Sequence, residues 1–335
     1  MTDALETRCR RLLCELGLAS EDDYIEVDPL KGGVASDIAR VKAGEKSYCV
    51  KFALEKLKVS EDWRAPTHRN RAEFAWLEFA RAVEPSSIPR LYGQSGIGFA
   101  MEHIASPDVR LWKDALMKET PRIGRAGRVA AVLGKIHRAS ARPDFCRTRF
   151  ENYDDFLALR IEPYLLFSAS KHSDLSRQLT GIGNRLYRSR IALVHGDISP
   201  KNILFRGNCP ILLDAECATI GDPAFDVAFC LNHLILKSFH RPKFCGELIA
   251  AGTEFWTAYA ANVDWEPLEE LEARAAELLP ALMLARVDGK SPVPYLSPRN
   301  QRLVRGTAKS LILERPPNLA EALAAIRQVG RHEDE

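Results

Sequence analysis

The sequence has no run approaching the roughly 18 consecutive apolar residues of a membrane-spanning helix. At its N-terminus it also lacks a basic stretch followed by an apolar run and a small-residue cleavage site, so a soluble, cytoplasmic protein is expected. The eight cysteines are scattered without a C-x-x-C pair, and several sit inside apolar runs, which suggests buried free thiols rather than a disulfide framework. Positive charge is not in excess: 47 Lys and Arg against 45 Asp and Glu leave a net of +2. That is far from the concentrated charge that phosphate-backbone binding needs, so neither nucleic acid nor a membrane is an expected partner. There is no internal repeat and no low-complexity tract. What is present is ordinary globular composition, 46% hydrophobic and 27% charged, in 335 residues. At about 150 residues per domain that length suggests two lobes.

Periodicity divides the chain. Leu5, Cys9, Leu12, Leu13 and Leu16 recur on one helical face, and Gly17 supplies a stop. Short runs at 25–30, 38–41 and 48–53, separated by turns at Gly32-Gly33 and Gly44, read as a three-stranded meander. Helical spacing returns over 70–83, and Leu91-Tyr92 and 99–104 suggest further strands. Beyond Pro107 the pattern is helical at 109–118, 122–139, 152–167, 173–188, 225–238, 245–261, 266–286, 300–312 and 319–329, with one strand pair over 203–213. The expected fold is α+β and bilobal, with a small β-rich N-lobe over 1–104, a hinge near 102–107 and a helical C-lobe over 105–335.

The strongest local signal is His195-Gly196-Asp197-Ile198-Ser199-Pro200-Lys201-Asn202, followed by Ile211-Leu212-Leu213-Asp214-Ala215-Glu216. Apolar runs on either side of Gly207-Asn208-Cys209 imply a hairpin, and centring it on Asn208 puts Asn202 opposite Asp214. One or two protein oxygens, completed by substrate phosphates and water, suit Mg²⁺. Asp197 lies one short loop before Asn202, within reach of a hydroxyl facing those phosphates. Period-two alternation places Glu216 on the side of Asp214, either as a ligand to a second ion, directly or through water, or as a salt-bridged carboxylate behind it. On the strand 47–53, Tyr48, Val50 and Phe52 share one face and Lys51 takes the other.

The H-G-D-x-x-x-x-N and D-x-E segments, with Gly221-Asp222-Pro223-Ala224-Phe225-Asp226-Val227-Ala228, resemble the aminoglycoside phosphotransferase and choline kinase family, whose fold is like that of protein kinases. The resemblance runs from about residue 25 to about residue 240. It implies Asp197 as catalytic base, Asn202 and Asp214 as Mg²⁺ ligands, and His195 and Asp226 as braces of the loop; Asp226 also stands where a helix cap is expected. It further implies that Lys51 contacts ATP phosphates and pairs with a helix glutamate, Glu73 being favoured over Glu78 by the family's spacing. Residues 30–36, with Gly32, Gly33 and Ser36, resemble the family's nucleotide loop without a full G-x-G-x-x-G, and read equally as a hairpin turn. Residues 99–104 resemble its hinge, where the backbone of Glu102 and Ile104 would meet adenine.

Only six residues separate Asp214 from Gly221 and no A-P-E follows, so there is no platform for a peptide and a small hydroxylated acceptor is expected. Arg286, Asp288 and Lys290, around a glycine turn, are the candidate acceptor residues. A polycationic aminoglycoside would call for a carboxylate-lined cleft, whereas 286–315 is basic, which favours a neutral or anionic metabolite. The expected activity is therefore ATP- and Mg²⁺-dependent phosphoryl transfer to such a metabolite. Its alternatives are an aminoglycoside O-phosphotransferase and a nucleotide-binding pseudokinase.

Overall fold

The apolar face of the first helix, α1 (Thr2–Glu15), has a partner: Cys9, Leu12 and Leu13 are fully buried, and Gly17 at φ +66° turns the chain out of the helix. The structure, a computed structural model, describes residues 2–30, 36–54 and 69–331. β1 (Ile25–Pro29), β2 (Ser36–Ala43) and β3 (Lys46–Ala53) form the expected meander, followed by α2 (Arg69–Val83), β4 (Leu91–Gln94) and β5 (Phe99–Glu102). The sheet runs β1-β2-β3-β5-β4 with every neighbour antiparallel. β3 divides two apolar clusters. Tyr48, Val50 and Phe52 pack with α1, while Cys49 packs with Trp76 and Leu77 of α2. Strand alternation therefore turns Lys51 toward α2.

The rest of the chain is mainly helical. Where one helix was expected over 109–118, the first three residues pair as a strand, β6 (Val109–Leu111), and only then does α3 (Trp112–Lys118) begin. α4 (Arg125–Ser140) and α5 (Tyr153–Phe156) follow. α5 continues without a break into a π-helix (Leu157–Leu166) around Pro163 and then into α6 (Phe167–Lys171); a turn over 172–175 leads to α7 (Ser176–Arg188). Next come β7 (Ala192–Val194), β8 (Ile203–Arg206), β9 (Cys209–Leu212), β10 (Thr219–Gly221) and α8 (Pro223–His240). α9 (Cys245–Ala260), α10 (Leu268–Asp288), α11 (Pro298–Glu314) and α12 (Leu319–Arg331) complete the chain. α8 is buried along almost its whole length, with α9 and α10 packed on it. β6, β7 and β10 have three residues each, too few to show alternation in the sequence.

Two local expectations are corrected. The hairpin pairs Ile203 with Leu212 and Arg206 with Cys209, so the turn is the two residues Gly207-Asn208 and Asn202 faces Leu213 rather than Asp214. Gly207 at φ +59° permits the tight two-residue turn that twisted hairpins favour. β9 ends at Leu212, so alternation cannot relate Asp214 to Glu216. The second correction concerns α8, whose cap is Asp222: its Oδ1 accepts from the Ala224 N–H at 3.0 Å ahead of Pro223 in the first turn. Asp226 lies one turn inside. As expected, Cys9, Cys49, Cys217, Cys230 and Cys245 are buried free thiols. Among the described residues no helix is long and apolar enough to cross a membrane.

Candidate active site

Lys51 emerges from β3 fully enclosed, with Nζ 2.6 Å from Glu73 Oε2 and bonded to Asp214 Oδ1. α2 supplies Glu73, completely buried, whereas Glu78 lies outside and pairs with Arg149 at 2.8 Å. Burial opposes a charged Lys51, but Asp214 and Glu73 outweigh it and hold the ammonium protonated well above its ordinary range. Three carboxylates surround this one cation. Burial therefore raises Glu73 to about 7, against the pull of Lys51 and with Asp214 and Glu216 adding to it.

Asp214 stands at φ +69°, a left-handed backbone that a non-glycine residue adopts at a cost of about 1–2 kcal/mol. This single residue turns the chain after β9 and aims the carboxylate back at Lys51. Despite its burial, Lys51 and Lys201 keep that carboxyl well below the usual range. Glu216 comes within 3.5 Å of Arg69 Nε, yet its Oε2 has no hydrogen-bond partner. Burial and the Asp214 charge push it upward.

The loop between β7 and β8 carries Asp197 and Asn202. Gly196, at φ +77°, lies so close to Cys217 that a Cβ there would come within 2.8 Å of the Cys217 carbonyl oxygen, so only glycine fits. Asp226 braces the loop from α8, as expected: its carboxylate accepts from the N–H groups of His195 at 2.6 Å and Gly196 at 2.8 Å, and lies 3.2 Å from His137 Nε2. His195 Nδ1 then accepts from the Asp197 N–H at 3.1 Å, which fixes the turn ahead of the aspartate. Trp76 of α2 meets the His195 ring edge-on at 4.7 Å. Asn202 commits its amide nitrogen to the Asp197 carbonyl at 3.0 Å, leaving its oxygen for other partners.

Asp197 itself is 3% exposed and held by two cations, Arg160 Nη2 at 3.1 Å and Lys201 Nζ at 2.9 Å. Burial would raise its pKa, but Lys201 and Arg160 prevail and keep it below the ordinary carboxylate value. Neither cation was foreseen from the sequence. Lys201 is one of the four variable positions between Asp197 and Asn202, and its i+4 spacing from Asp197 was the available signal. Arg160 has none: it projects from the π-helix, where its Nε bonds the Gly196 carbonyl and its guanidinium lies 5.8 Å from the Phe229 ring. π-Helical turns place side chains where an α-helix cannot, and they recur at functional sites.

The remaining expected residues are elsewhere. Gly32 and Gly33 lie outside the described residues; Ser36 opens β2, buried opposite Ala53. Glu102 ends β5, with Oε1 at 2.6 Å from Arg206, and Ile104 follows in the link to β6. Arg286 bonds Tyr164 Oη at 3.2 Å and Ser291 Oγ at 2.9 Å. Asp288 is occupied by Arg305, through two hydrogen bonds of 2.6 and 2.7 Å, and by His172 at 2.9 Å. Lys290 donates its backbone N–H to the Pro163 carbonyl at 3.0 Å and lays its ammonium 5.7 Å from the Phe167 ring.

The model of the phosphotransferase enzyme family (APH) matches residues 26–271. No curated protein matches the sequence. Among solved structures, ethanolamine kinase from Plasmodium vivax superposes with a TM-score of 0.57 at 13% identity, over 93% of this chain and 91% of that one. A choline/ethanolamine kinase family protein from Mesorhizobium loti gives 0.52 at 18% identity, over 96% and 99%. The streptomycin–ATP ternary complex of APH(2'')-IIa gives 0.51 at 17%, over 95% and 97%. At such identities the likeness is one of fold.

Proposed function

The chain belongs to the phosphotransferase enzyme family, and from that premise we propose that it transfers the γ-phosphoryl group of ATP, with Mg²⁺, to a hydroxyl of a small metabolite in the cytoplasm. The observation that carries this reading is the convergence of Lys51, Glu73 and Asp214 beside an Asp197 set between Arg160 and Lys201. In this reading residues 1–104 form the nucleotide-side lobe, and residues 105–335 bring the catalytic loop and the acceptor pocket. Lys51, oriented by Glu73, contacts the phosphates. Gly32, Gly33 and Ser36 cover them, and the backbone of Glu102 and Ile104 meets adenine.

The donor set fits Mg²⁺. Asn202 has an uncommitted amide oxygen, Asp214 a carboxylate with a 31% exposed side chain, and Glu216 an Oε2 without a hydrogen bond, all of them oxygens. Among the described residues no three His, Cys, Asp or Glu side chains are grouped to hold a metal by themselves. An ion completed by substrate phosphates and water needs no such group. When bound, it would neutralise phosphate charge.

Asp197 accepts a hydrogen bond from the acceptor hydroxyl and directs that oxygen at the γ-phosphorus. The new P–O bond forms as the bond to the bridging oxygen breaks; its electron pair leaves with ADP, and the hydroxyl proton passes to Asp197. A carboxylate kept below its usual pKa is a weak base, so its main contribution is orientation, with the proton moving late, as a loose phosphoryl-transfer transition state allows.

The test combines a screen and a variant. Purified protein with ATP and Mg²⁺ is offered sugars, sugar acids, amino alcohols, nucleoside derivatives and aminoglycosides, and phosphorylated products are identified by mass spectrometry. Asp197→Asn is expected to lower turnover by roughly 10²–10⁴-fold, the range of a positioned general base, while Mg·ATP affinity stays within a few-fold. Turnover within threefold of wild type would remove Asp197 from this role.

A further inference from the structure

One buried cluster is not used by the proposed chemistry. Lys237 and His233 stand one turn apart on α8, 2% and 7% exposed. The Lys237 ammonium donates to the His233 carbonyl at 3.1 Å, lies 5.5 Å from the Tyr295 ring, and has no carboxylate partner among the described residues. His233 Nε2, the Tyr295 hydroxyl and Arg286 Nε are all buried without a hydrogen-bond partner. The charges acting most strongly on His233 are all positive: Lys237, Arg286, Lys201 and Lys113. Burial first, then Lys113 and Arg286, bring Lys237 down to about 7.

The cluster also adjoins the candidate active site. The His233 ring meets Phe229 edge-on at 5.1 Å, Phe229 lies 5.8 Å from the Arg160 guanidinium, and Arg160 holds Asp197. α3, which carries Lys113, packs against the turn Pro200–Asn202 of the catalytic loop. Several cations and unpartnered donors gathered without an acid are costly to bury unless an anion joins them.

We propose that Lys237, His233, Arg286, Tyr295 and Lys113 seat an anionic group, a carboxylate or a phosphate, carried by the hydroxylated acceptor, whose hydroxyl then reaches Asp197. This assignment rests on the kinase reading and narrows its acceptor class. It also relocates the selectivity expected of Arg286, Asp288 and Lys290. Arg286 takes part, Asp288 is already paired with Arg305 and in contact with His172, and a polycationic acceptor would meet like charge.

Inorganic phosphate and acetate are titrated separately into protein saturated with Mg²⁺ and a non-hydrolysable ATP analogue, and the thermal midpoint is read. At millimolar concentration one of the two anions is expected to raise the midpoint by several degrees, and the anion that does so identifies the group. Lys237→Met and, independently, Tyr295→Phe, each checked for folding by circular dichroism, are expected to reduce the rise at least threefold. No rise with either anion in the wild-type protein, or an undiminished rise in both folded variants, overturns the proposal. In turnover assays, hydroxylated acceptors bearing the favoured anion are expected to exceed their neutral counterparts at least tenfold in kcat/KM; equal or better use of neutral or aminated counterparts overturns it as well. Calorimetry of the ATP analogue is a separate readout: failure to bind nucleotide defeats the kinase reading, whereas the anion-dependent rise tests the cluster alone.

Discussion

Asp197 and Lys237 show how the same ingredients, a buried ionised group and its neighbours, give opposite results. Asp197 has two cations within 3.1 Å and stays ionised. Lys237 has a helix carbonyl but no carboxylate partner among the described residues, so burial, with Lys113 and Arg286 adding to it, brings its folded pKa to about 7, well below its ordinary value. Between about 7 and the usual lysine range the unfolded chain binds the extra proton, so stability contributed at this site rises with pH across that window and is lost as pH falls toward 7. Lys237→Met is therefore expected to be more stable than wild type at pH 7 by on the order of 2 kcal/mol, the scale on which buried charges yield to apolar replacements. The difference should shrink as pH approaches 10. Urea denaturation at pH 7 and pH 10 checks this, and a difference that grows with pH would contradict it.

At the scale of elements, α8 connects the fold to the chemistry. Its cap, Asp222, also pairs with Arg274 at 2.9 Å, which ties the start of α8 to α10. One turn on, Asp226 satisfies two N–H groups of the catalytic loop and meets His137 of α4, with no exposed surface. Removing that carboxylate leaves two buried backbone donors without an acceptor. Asp226→Ala is expected to cost about 3 kcal/mol or more in stability and to lower turnover at least tenfold, because the loop that aims Asp197 loses its anchor. Asp226→Asn, which keeps one acceptor oxygen, should lie between the two. Denaturation midpoints and turnover measured on the same three proteins check the order. An Asp226→Ala protein as stable as wild type would show that the loop holds its shape without α8.

Across the whole molecule, the sheet region and the helical part meet at charged and aromatic contacts as well as in the shared apolar cluster. Lys51 bonds Asp214, Trp76 packs on His195, and Glu102 reaches Arg206 at 2.6 Å. A nucleotide held by Lys51 from one side and by Asp214 and Asn202 from the other would tie the two regions together, so its binding should register as stability of the entire chain. Mg·ATP at about a hundredfold over its Kd is expected to add about 2.7 kcal/mol, seen as a higher thermal midpoint. Lys51→Met should lose most of that gain while remaining folded, since Glu73 can take up a proton once its partner is gone. An equal midpoint shift in Lys51→Met would place nucleotide binding elsewhere.

Residue identity and spacing along the chain were enough for most of the longer strands and helices and for the H-G-D-x-x-x-x-N loop, while the pairing of Lys51 with Glu73 and the bracing role of Asp226 came from the family resemblance that this motif carries. These depend on local periodicity or on short motifs whose geometry is nearly self-contained. The hairpin register was misread by one residue: Gly207-Asn208 is itself a two-residue turn signal, but centring on Asn208 counted Cys209 into the turn. The left-handed turn that aims Asp214 was not available from spacing. Arg160 reaches Asp197 from 37 positions upstream through a π-helical winding, and the cluster of Lys113, His233, Lys237, Arg286 and Tyr295 draws on four separate segments of the chain. Their proximity is a property of packing: once α8 is enclosed by its neighbours, Lys237 and His233, merely polar in the sequence, are buried beside other cations, and that company shifts their ionisation.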